Sequence, residues 1–330
     1  MLIDGFGRIA TDLRVSVTDR CNLRCTYCMP AEGLDWIPKP ELLTDEELVR
    51  VIGVAVSLGV TDVRFTGGEP LLRPGLPEII AAVAAMEPRP AIAVTSNGLE
   101  LTRLAGRLAE AGLDRINVSL DTIDRERFRA LTRRDRLDDV LSGMAAAATA
   151  GLLPVKVNAV LMRGVNEDEA PDLLAYCLEH GYELRFIEQM PLDAQHGWER
   201  SSMVTAEEIL ASLKTRFDLS EDDPEARGTA PAETWLVNGG PAKVGVIASV
   251  TRPFCGTCDR VRLTADGQVR NCLFARDESD LRAILRDGGP DVDERIASVF
   301  RASLAAKFPG HGINDPGFLQ PARPMSAIGG

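Results

Sequence analysis

Leu13-Arg14-Val15-Ser16-Val17 is an alternating apolar run, and four residues beyond it the chain reads Cys21-x-x-x-Cys25-x-x-Cys28. Such a run predicts a short strand, because side chains alternate faces along extended backbone. Five more β-rich runs follow at 62–66, 91–95, 115–120, 154–161 and 184–188, each bounded by Gly, Pro, Asn or Asp. Helical stretches fill the gaps. Thr44-Asp45-Glu46-Glu47 is a capping box that opens a helix to about Leu58, since the Thr and Glu side chains each satisfy the other's backbone N–H. Further helices are predicted near 75–86, 102–111, 136–150 and 167–180, with Gly59, Gly112, Gly151 and Gly181 placed to end them. Six strand–helix units that return in one direction imply a parallel sheet covered on both faces. Six fall short of the eight in a closed barrel. The expected fold class is α/β, a partial TIM-like barrel, with a doubly wound open sheet as second choice.

The rhythm breaks near 192–204. Thr205-Ala206-Glu207-Glu208 is a second capping box, opening a helix to about Arg216. The acidic segment 218–232 reads as an exposed loop. Short strands follow at 233–237 and 243–249, then a hairpin across 263–270 with a two-residue turn at Asp266-Gly267. Helices are predicted near 278–286 and 291–306, before a Gly- and Pro-rich tail ending Gly329-Gly330. The expected division is a partial-barrel domain over 1–210 and a smaller α+β domain over 211–330 that closes the barrel mouth.

Acidic residues outnumber basic ones by 49 to 37, a formal charge of −12. That field disfavours nucleic acid, and an anionic substrate would need a local cluster of Arg and Lys. The sequence shows no apolar run long enough to span a membrane and no leader, so a cytoplasmic location is expected. Seven cysteines cannot all pair as disulfides. Six fall into two trios and Cys177 is left in an apolar helical context, where it reads as a small buried hydrophobe. Clustered spacing without an export signal points to metal.

Three thiolates at 21, 25 and 28 can hold three irons of a four-iron cluster, leaving one iron open to a small molecule. Structural zinc wants a fourth protein ligand, and no His or Cys lies between Cys28 and Cys177. Cys255-x-x-Cys258 with Cys272 repeats the count of three; alone, it also reads as half a zinc ribbon. Thr66-Gly67-Gly68-Glu69-Pro70 follows the second strand, where paired glycines let a ligand approach the backbone. Taken by itself the stretch reads first as a plain strand-to-helix turn, and phosphate-binding Gly-x-x-x-x-Gly-Lys and Gly-x-Gly-x-x-Gly motifs are absent. Arg14, Arg64, Lys156 and Arg185 sit inside predicted strands, a costly place for charge unless they line a cavity. Arg260-Val261-Arg262 adds two cations on one face by alternation. His180, His196 and His311 suggest no hydrolytic triad and read as surface or cap residues.

The first trio with Tyr27, followed by Gly-Gly-Glu-Pro after the next strand, resembles the radical S-adenosylmethionine (SAM) superfamily. The second trio, Arg260-Val261-Arg262, Arg185-Phe186-Ile187-Glu188-x-Met190 and the Gly-Gly terminus narrow the resemblance to the GTP-cyclising family that opens molybdenum cofactor biosynthesis. The resemblance implies two [4Fe–4S] clusters. One, on Cys21, Cys25 and Cys28, binds SAM. The other, on Cys255, Cys258 and Cys272, binds the guanine of GTP. A 5′-deoxyadenosyl radical then takes the ribose 3′ hydrogen, and 3′,8-cyclo-7,8-dihydro-GTP results.

By the same resemblance SAM is held by Tyr27, Gly68, Ser119 and Met190, with Glu69 near its ammonium. GTP is held by Arg14, Arg64, Thr95, Lys156, Arg185, Arg260, Val261 and Arg262, with Arg260 and Arg262 nearest a catalytic role and Gly329-Gly330 threading into the cavity. The implied partners are an electron donor, the downstream cyclic pyranopterin monophosphate synthase and, in some arrangements, a second copy of the chain. One departure stands out: Asp62 occupies a position where some relatives carry lysine. Two other readings remain open, a radical enzyme acting on a peptide and a zinc-stabilised nucleotide-binding regulator.

Overall fold

The computed structural model describes residues 1–329; the expectation for Gly330 lies outside the described residues. Its strands are β1 (Asp12–Ser16), β2 (Asp62–Thr66), β3 (Ala91–Ser96), β4 (Arg115–Ser119), β5 (Lys156–Val160), β6 (Glu183–Ile187), β7 (Leu219–Glu221), β8 (Glu233–Val237), β9 (Lys243–Ile247), β10 (Arg260–Leu263), β11 (Gln268–Arg270) and β12 (Ser279–Asp280). The helices are α1 (Asp45–Ser57), α2 (Leu76–Ala84), α3 (Leu101–Glu110), α4 (Arg125–Thr132), α5 (Leu137–Thr149), α6 (Ala170–Glu179), α7 (Ala206–Leu213), α8 (Pro224–Arg227), α9 (Arg282–Arg286), α10 (Val292–Ala305) and α11 (Met325–Ile328). Both capping boxes form, at Thr44 and Thr205.

The six expected strands lie side by side in chain order, all parallel. That is the winding of a barrel, since a doubly wound sheet reverses at a switch point. β10 adds in parallel to the outer edge of β1, and β9 to that of β6. The segment beyond residue 210 therefore extends the barrel wall at both edges. β8 and β7 continue antiparallel from β9, and β11 and β12 from β10, giving one open sheet of twelve strands.

Register decides what each face presents. Leu13, Val15, Val63, Phe65, Val94, Ile116, Val118, Phe186 and Val261 point to the helix side and join one apolar core. Each such burial is worth roughly 1.5–3 kcal/mol. The opposite face is polar. Arg14 pairs in register with Arg64 and Arg262, and Asp12 with Asp62 and Arg260. Thr95 lies beside Asn117, which lies beside Lys156, and Asn158 sits between Ser119 and Arg185. Barrel interiors are normally packed with apolar side chains. Here the inward-facing Arg14, Arg64, Thr95, Lys156 and Arg185 are polar and only partly buried, the lining of an open chamber. Gly245 borders it: a Cβ there would come 2.9 Å from Arg185 Cγ, so glycine leaves that arginine its space.

Three expectations need correction, and one helix was unforeseen. The β10–β11 connection is a three-residue turn, with Gly267 at φ 85° and its N–H donating to the Thr264 carbonyl. Asp266-Gly267 is only its last two residues. The helix near 278–286 is a strand, β12, followed by the short α9, because residues 279 and 280 pair with β11. The acidic segment 218–232 holds β7, paired with β8, and α8. Helix α4 was not expected: it buries only Phe128, Leu131 and Thr132, too narrow a stripe to read against its charged residues, although Asp124 caps it.

Candidate active site

The chain leaves β1 and packs its Thr18–Arg20 backbone directly on Gly67-Gly68. Gly68 N–H donates to the Thr18 carbonyl and Glu69 N–H to that of Arg20, each at 2.7 Å. A Cβ on Gly67 would stand 2.2 Å from the Thr18 oxygen, and one on Gly68 2.3 Å from the Arg20 oxygen. The glycines thus let two backbones meet and so place the cysteine loop. Cys28 and Met29 both donate N–H groups to the Cys25 carbonyl, closing the turn. Asn97 Nδ2 lies 3.8 Å from Cys21 Sγ and donates to Asn22 Oδ1 at 2.7 Å. The Ser326 N–H, from the tail, donates to the Cys28 sulfur.

The surroundings of this trio are acidic. Burial and Glu69 push the Cys21 thiol up to about 11, and burial with Cys21 and Asp193 pushes Cys28 to about 12. Burial, Asp121 and the two sister thiols raise Cys25 as well. No disulfide relieves them. Three thiols that disfavour each other's charge in a partly buried loop fit a multi-iron cluster, whose positive charge stabilises thiolate. A single tetrahedral ion would draw its sulfurs to within about 4 Å of one another. No such three-donor group of His, Cys, Asp or Glu exists among the described residues.

Tyr27 donates its hydroxyl to Asp121 Oδ2 at 2.7 Å. A small cavity beside it is lined by Cys25, Tyr27, Asn97, Ser119 and Asp121. Glu69 is buried, and both its oxygens hold protein groups: one takes Leu71 N–H and the Ser96 hydroxyl, the other Asn97 N–H. It therefore ties the β2 loop to the end of β3, and burial lifts its carboxyl to about 7. Met190 packs in a second apolar cluster with Leu192, Met203, Cys272, Met325 and Ile328.

The chamber wall is cationic. Arg14 grips Asp12 through Nε and Nη2, and Lys156 meets Glu183 at 2.9 Å. Arg185 donates to Asn117, whose amide donates in turn to Thr95. Buried polar atoms without partners cluster on this face: Arg64 Nε, Arg185 Nε, Arg260 Nε and Nη2, and Asn158 Oδ1. Burial and the neighbouring Arg14 depress both Arg64 and Arg262 to about 9, and burial takes Arg185 to about 10. Arginine does not deprotonate in proteins. Crowded buried guanidiniums with free N–H groups instead make a receptor for a polyanion. Val261 points away from this chamber into the core, so its side chain takes no part.

Cys258 ends a short turn just before β10, its N–H on the Cys255 carbonyl at 3.2 Å. Because β10 runs parallel to β1, this pair lies at the N-terminal end of the wall, opposite the first trio. Antiparallel β11 brings Cys272 back to the same end. The two trios thus bracket a lumen about 17 Å deep, five residues of strand. Arg14, Arg64, Lys156, Arg185, Arg260 and Arg262 are spread along its depth and are not confined to the C-terminal strand ends where a barrel usually places its site. Here the surroundings are basic. Burial and the sister thiols raise Cys255, whereas at Cys258 burial is overcome by Arg260 and Lys307, which pull the thiol below its usual value. His311, read as a surface residue, is half-buried; its ring Nδ1 accepts from Ile313 N–H, its ring Nε2 lies on the Ser249 carbonyl, and its backbone N–H donates to the Cys255 sulfur.

The tail joins the two ends. Arg323 pairs with Asp266 and Glu278 at its entry. Ser326 reaches Cys28, and the Gly329 carbonyl accepts from Arg262 Nη1. A side chain on Gly329 would stand 2.7 Å from Thr66 Cγ2.

Residues 15–177 match the radical SAM superfamily, and residues 182–313 match the Molybdenum Cofactor Synthesis C family. The GTP 3′,8-cyclase of Streptomyces coelicolor is 67% identical over all of this chain and 96% of its own length. GTP 3′,8-cyclase 2 of Mycobacterium tuberculosis is 60% identical, over all of this chain and 92% of its own. The chain belongs to the GTP 3′,8-cyclase family. Among solved structures, Streptococcus suis SuiB bound to S-adenosylmethionine shares the fold, with a TM-score of 0.64 at 13% identity over 91% of this chain and 68% of that one. Membership of the cyclase family sets aside the zinc-stabilised regulator and the peptide-modifying enzyme.

Several residues of this cyclase chamber were missed from sequence. Arg115, Asn117 and Asn158 face the chamber through the strand register, and Arg115 pairs with Asp62 at 3.2 Å. Two-residue spacing from these to Ser119 and Lys156 was the available signal. Asn97, Asp121 and Lys307 had none, since their roles depend on loop placement.

Proposed function

We infer that the chain converts GTP to 3′,8-cyclo-7,8-dihydro-GTP, the first step of molybdenum cofactor biosynthesis. The observation that carries this is an arginine-lined lumen bracketed by two cysteine trios. When bound, SAM and the two [4Fe–4S] clusters supply the radical chemistry that removes the ribose 3′ hydrogen and joins that carbon to C8 of guanine. The chain's own residues hold, orient and shield. Cys21, Cys25 and Cys28 hold the cluster that binds SAM; Tyr27, Gly68, Ser119 and Met190 frame SAM. Glu69 orders the loop on which the SAM amino group lies, as its carboxylate already holds Leu71, Ser96 and Asn97.

Cys255, Cys258 and Cys272 hold the second cluster beside the guanine. Arg64, Arg185 and Arg260 take the triphosphate with their free N–H groups, helped by Arg262, Arg14, Lys156 and Thr95. Gly329, whose carbonyl accepts from Arg262, closes the lumen against water. On this reading residues 1–210 carry the SAM half and 211–330 the substrate cluster and tail. An external electron donor and the downstream synthase complete the pathway.

Anaerobic reconstitution tests the inference. The expected result is about eight irons per chain and 5′-deoxyadenosine formed only when GTP is present. Zinc in place of iron and sulfide, or 5′-deoxyadenosine indifferent to GTP, would overturn it.

A further inference from the structure

Lys307 follows α10 and is only 4% exposed. A buried ammonium is costly unless an anion faces it. Its Nζ donates to the Arg260 carbonyl at 2.8 Å, to the Cys258 carbonyl at 3.3 Å and to Cys258 Sγ at 3.4 Å. None of its partners among the described residues is a carboxylate. An ammonium has three donors, and two carbonyls fix its direction so that the third points at sulfur. The Cys258 sulfur is thus the one group in contact with Lys307 that can carry negative charge.

We propose that Lys307 is a positioning residue of the downstream cluster: its ammonium holds the Cys258 sulfur as an iron ligand and raises the reduction potential of the cluster. This rests on the reading that Cys255, Cys258 and Cys272 carry a [4Fe–4S] cluster. Hydrogen bonds to ligand sulfur and nearby charge are the protein's means of setting such a potential. A positive charge aimed at the sulfur favours the reduced, more negative cluster. A lysine that merely braced the loop through the two carbonyls would leave the potential unmoved.

The test uses the full-length chain with Cys21, Cys25 and Cys28 replaced by Ala, reconstituted anaerobically, so that only the downstream site loads. In this background Lys307→Met and Lys307→Arg are compared by iron count, by EPR-monitored redox titration and by the rate of iron loss to a chelator. The parent is expected to hold about four irons. Lys307→Met should show a lower midpoint potential and faster iron loss, or hold no iron at all. Lys307→Arg should stay near the parent. A Lys307→Met protein with full iron, the parent potential and the parent rate of loss overturns the proposal. So does equal damage from both substitutions, which would mean that the charge is irrelevant. A parent without iron overturns the cluster reading itself.

Discussion

The two cysteine trios look alike in sequence, yet carboxylates face the upstream one and cations face the Cys258 side of the downstream one, where Cys255 stays raised by burial. Glu69, Asp121 and Asp193 surround the upstream one and help hold its thiols up. Arg260 and Lys307 crowd the downstream one and draw Cys258 down. SAM, with a sulfonium and an ammonium against one carboxylate, is a cation; GTP is a polyanion. An acidic pocket suits the first and a basic lumen the second. One chain of net negative charge therefore sorts two ligands by local sign, and the tail running from Cys28 to Arg262 spans the boundary between the two fields.

The largest effect separates the trios outright. Cys25→Ala should abolish SAM cleavage while leaving about four irons on the downstream trio. Cys272→Ala should do the reverse: upstream iron stays, and GTP turnover falls. Iron counts and 5′-deoxyadenosine assays on the two variants check this. If Cys272→Ala turned over GTP at the parent rate, the downstream trio would be a structural element and the comparison would fail.

A smaller effect probes the basic lumen alone. Arg64 has a free, buried Nε facing the chamber. A hydrogen bond to a charged group contributes about 1.5–3 kcal/mol, so Arg64→Ala should weaken GTP binding roughly ten- to a hundredfold. SAM binding should be unchanged, since the acidic pocket is untouched. Isothermal titration with each ligand separates the outcomes, and equal loss for both would show that the two settings are not independent.

How much of this was readable follows from what each residue depends on. The cysteines, the capping boxes and the strand positions of Arg14, Arg64, Lys156 and Arg185 are local features, and local pattern carries them. That Arg14 stands between Arg64 and Arg262 depends on β10 returning from far along the chain to pair with β1. No spacing announces that. Val261 illustrates the converse, because motif resemblance placed it with its neighbours while the strand's alternation turned it into the core. Asp121 and Lys307 act across loops whose approach is set by tertiary packing, so sequence gave no reason to single them out.

The smallest effect concerns Asp62, which stands in register beside Asp12 at the start of β2. Its carboxylate holds Arg115 at 3.2 Å, with both side chains more than a third exposed. Exposed pairs of this kind contribute about 0–1 kcal/mol, so the bond is easily given up. Arg115 already adds to the repulsion that depresses Arg64 and Arg185, which places it within reach of the same field. Removing the Asp62 charge leaves Arg115 free to turn toward the triphosphate and takes one negative charge from the lumen. Asp62→Ala should therefore tighten GTP binding by up to about fivefold, with the gain shrinking as salt is raised. Weaker binding would instead mean that Asp62 holds Arg115 in a pose the substrate needs, and the lumen would then owe part of its selectivity to an acidic residue.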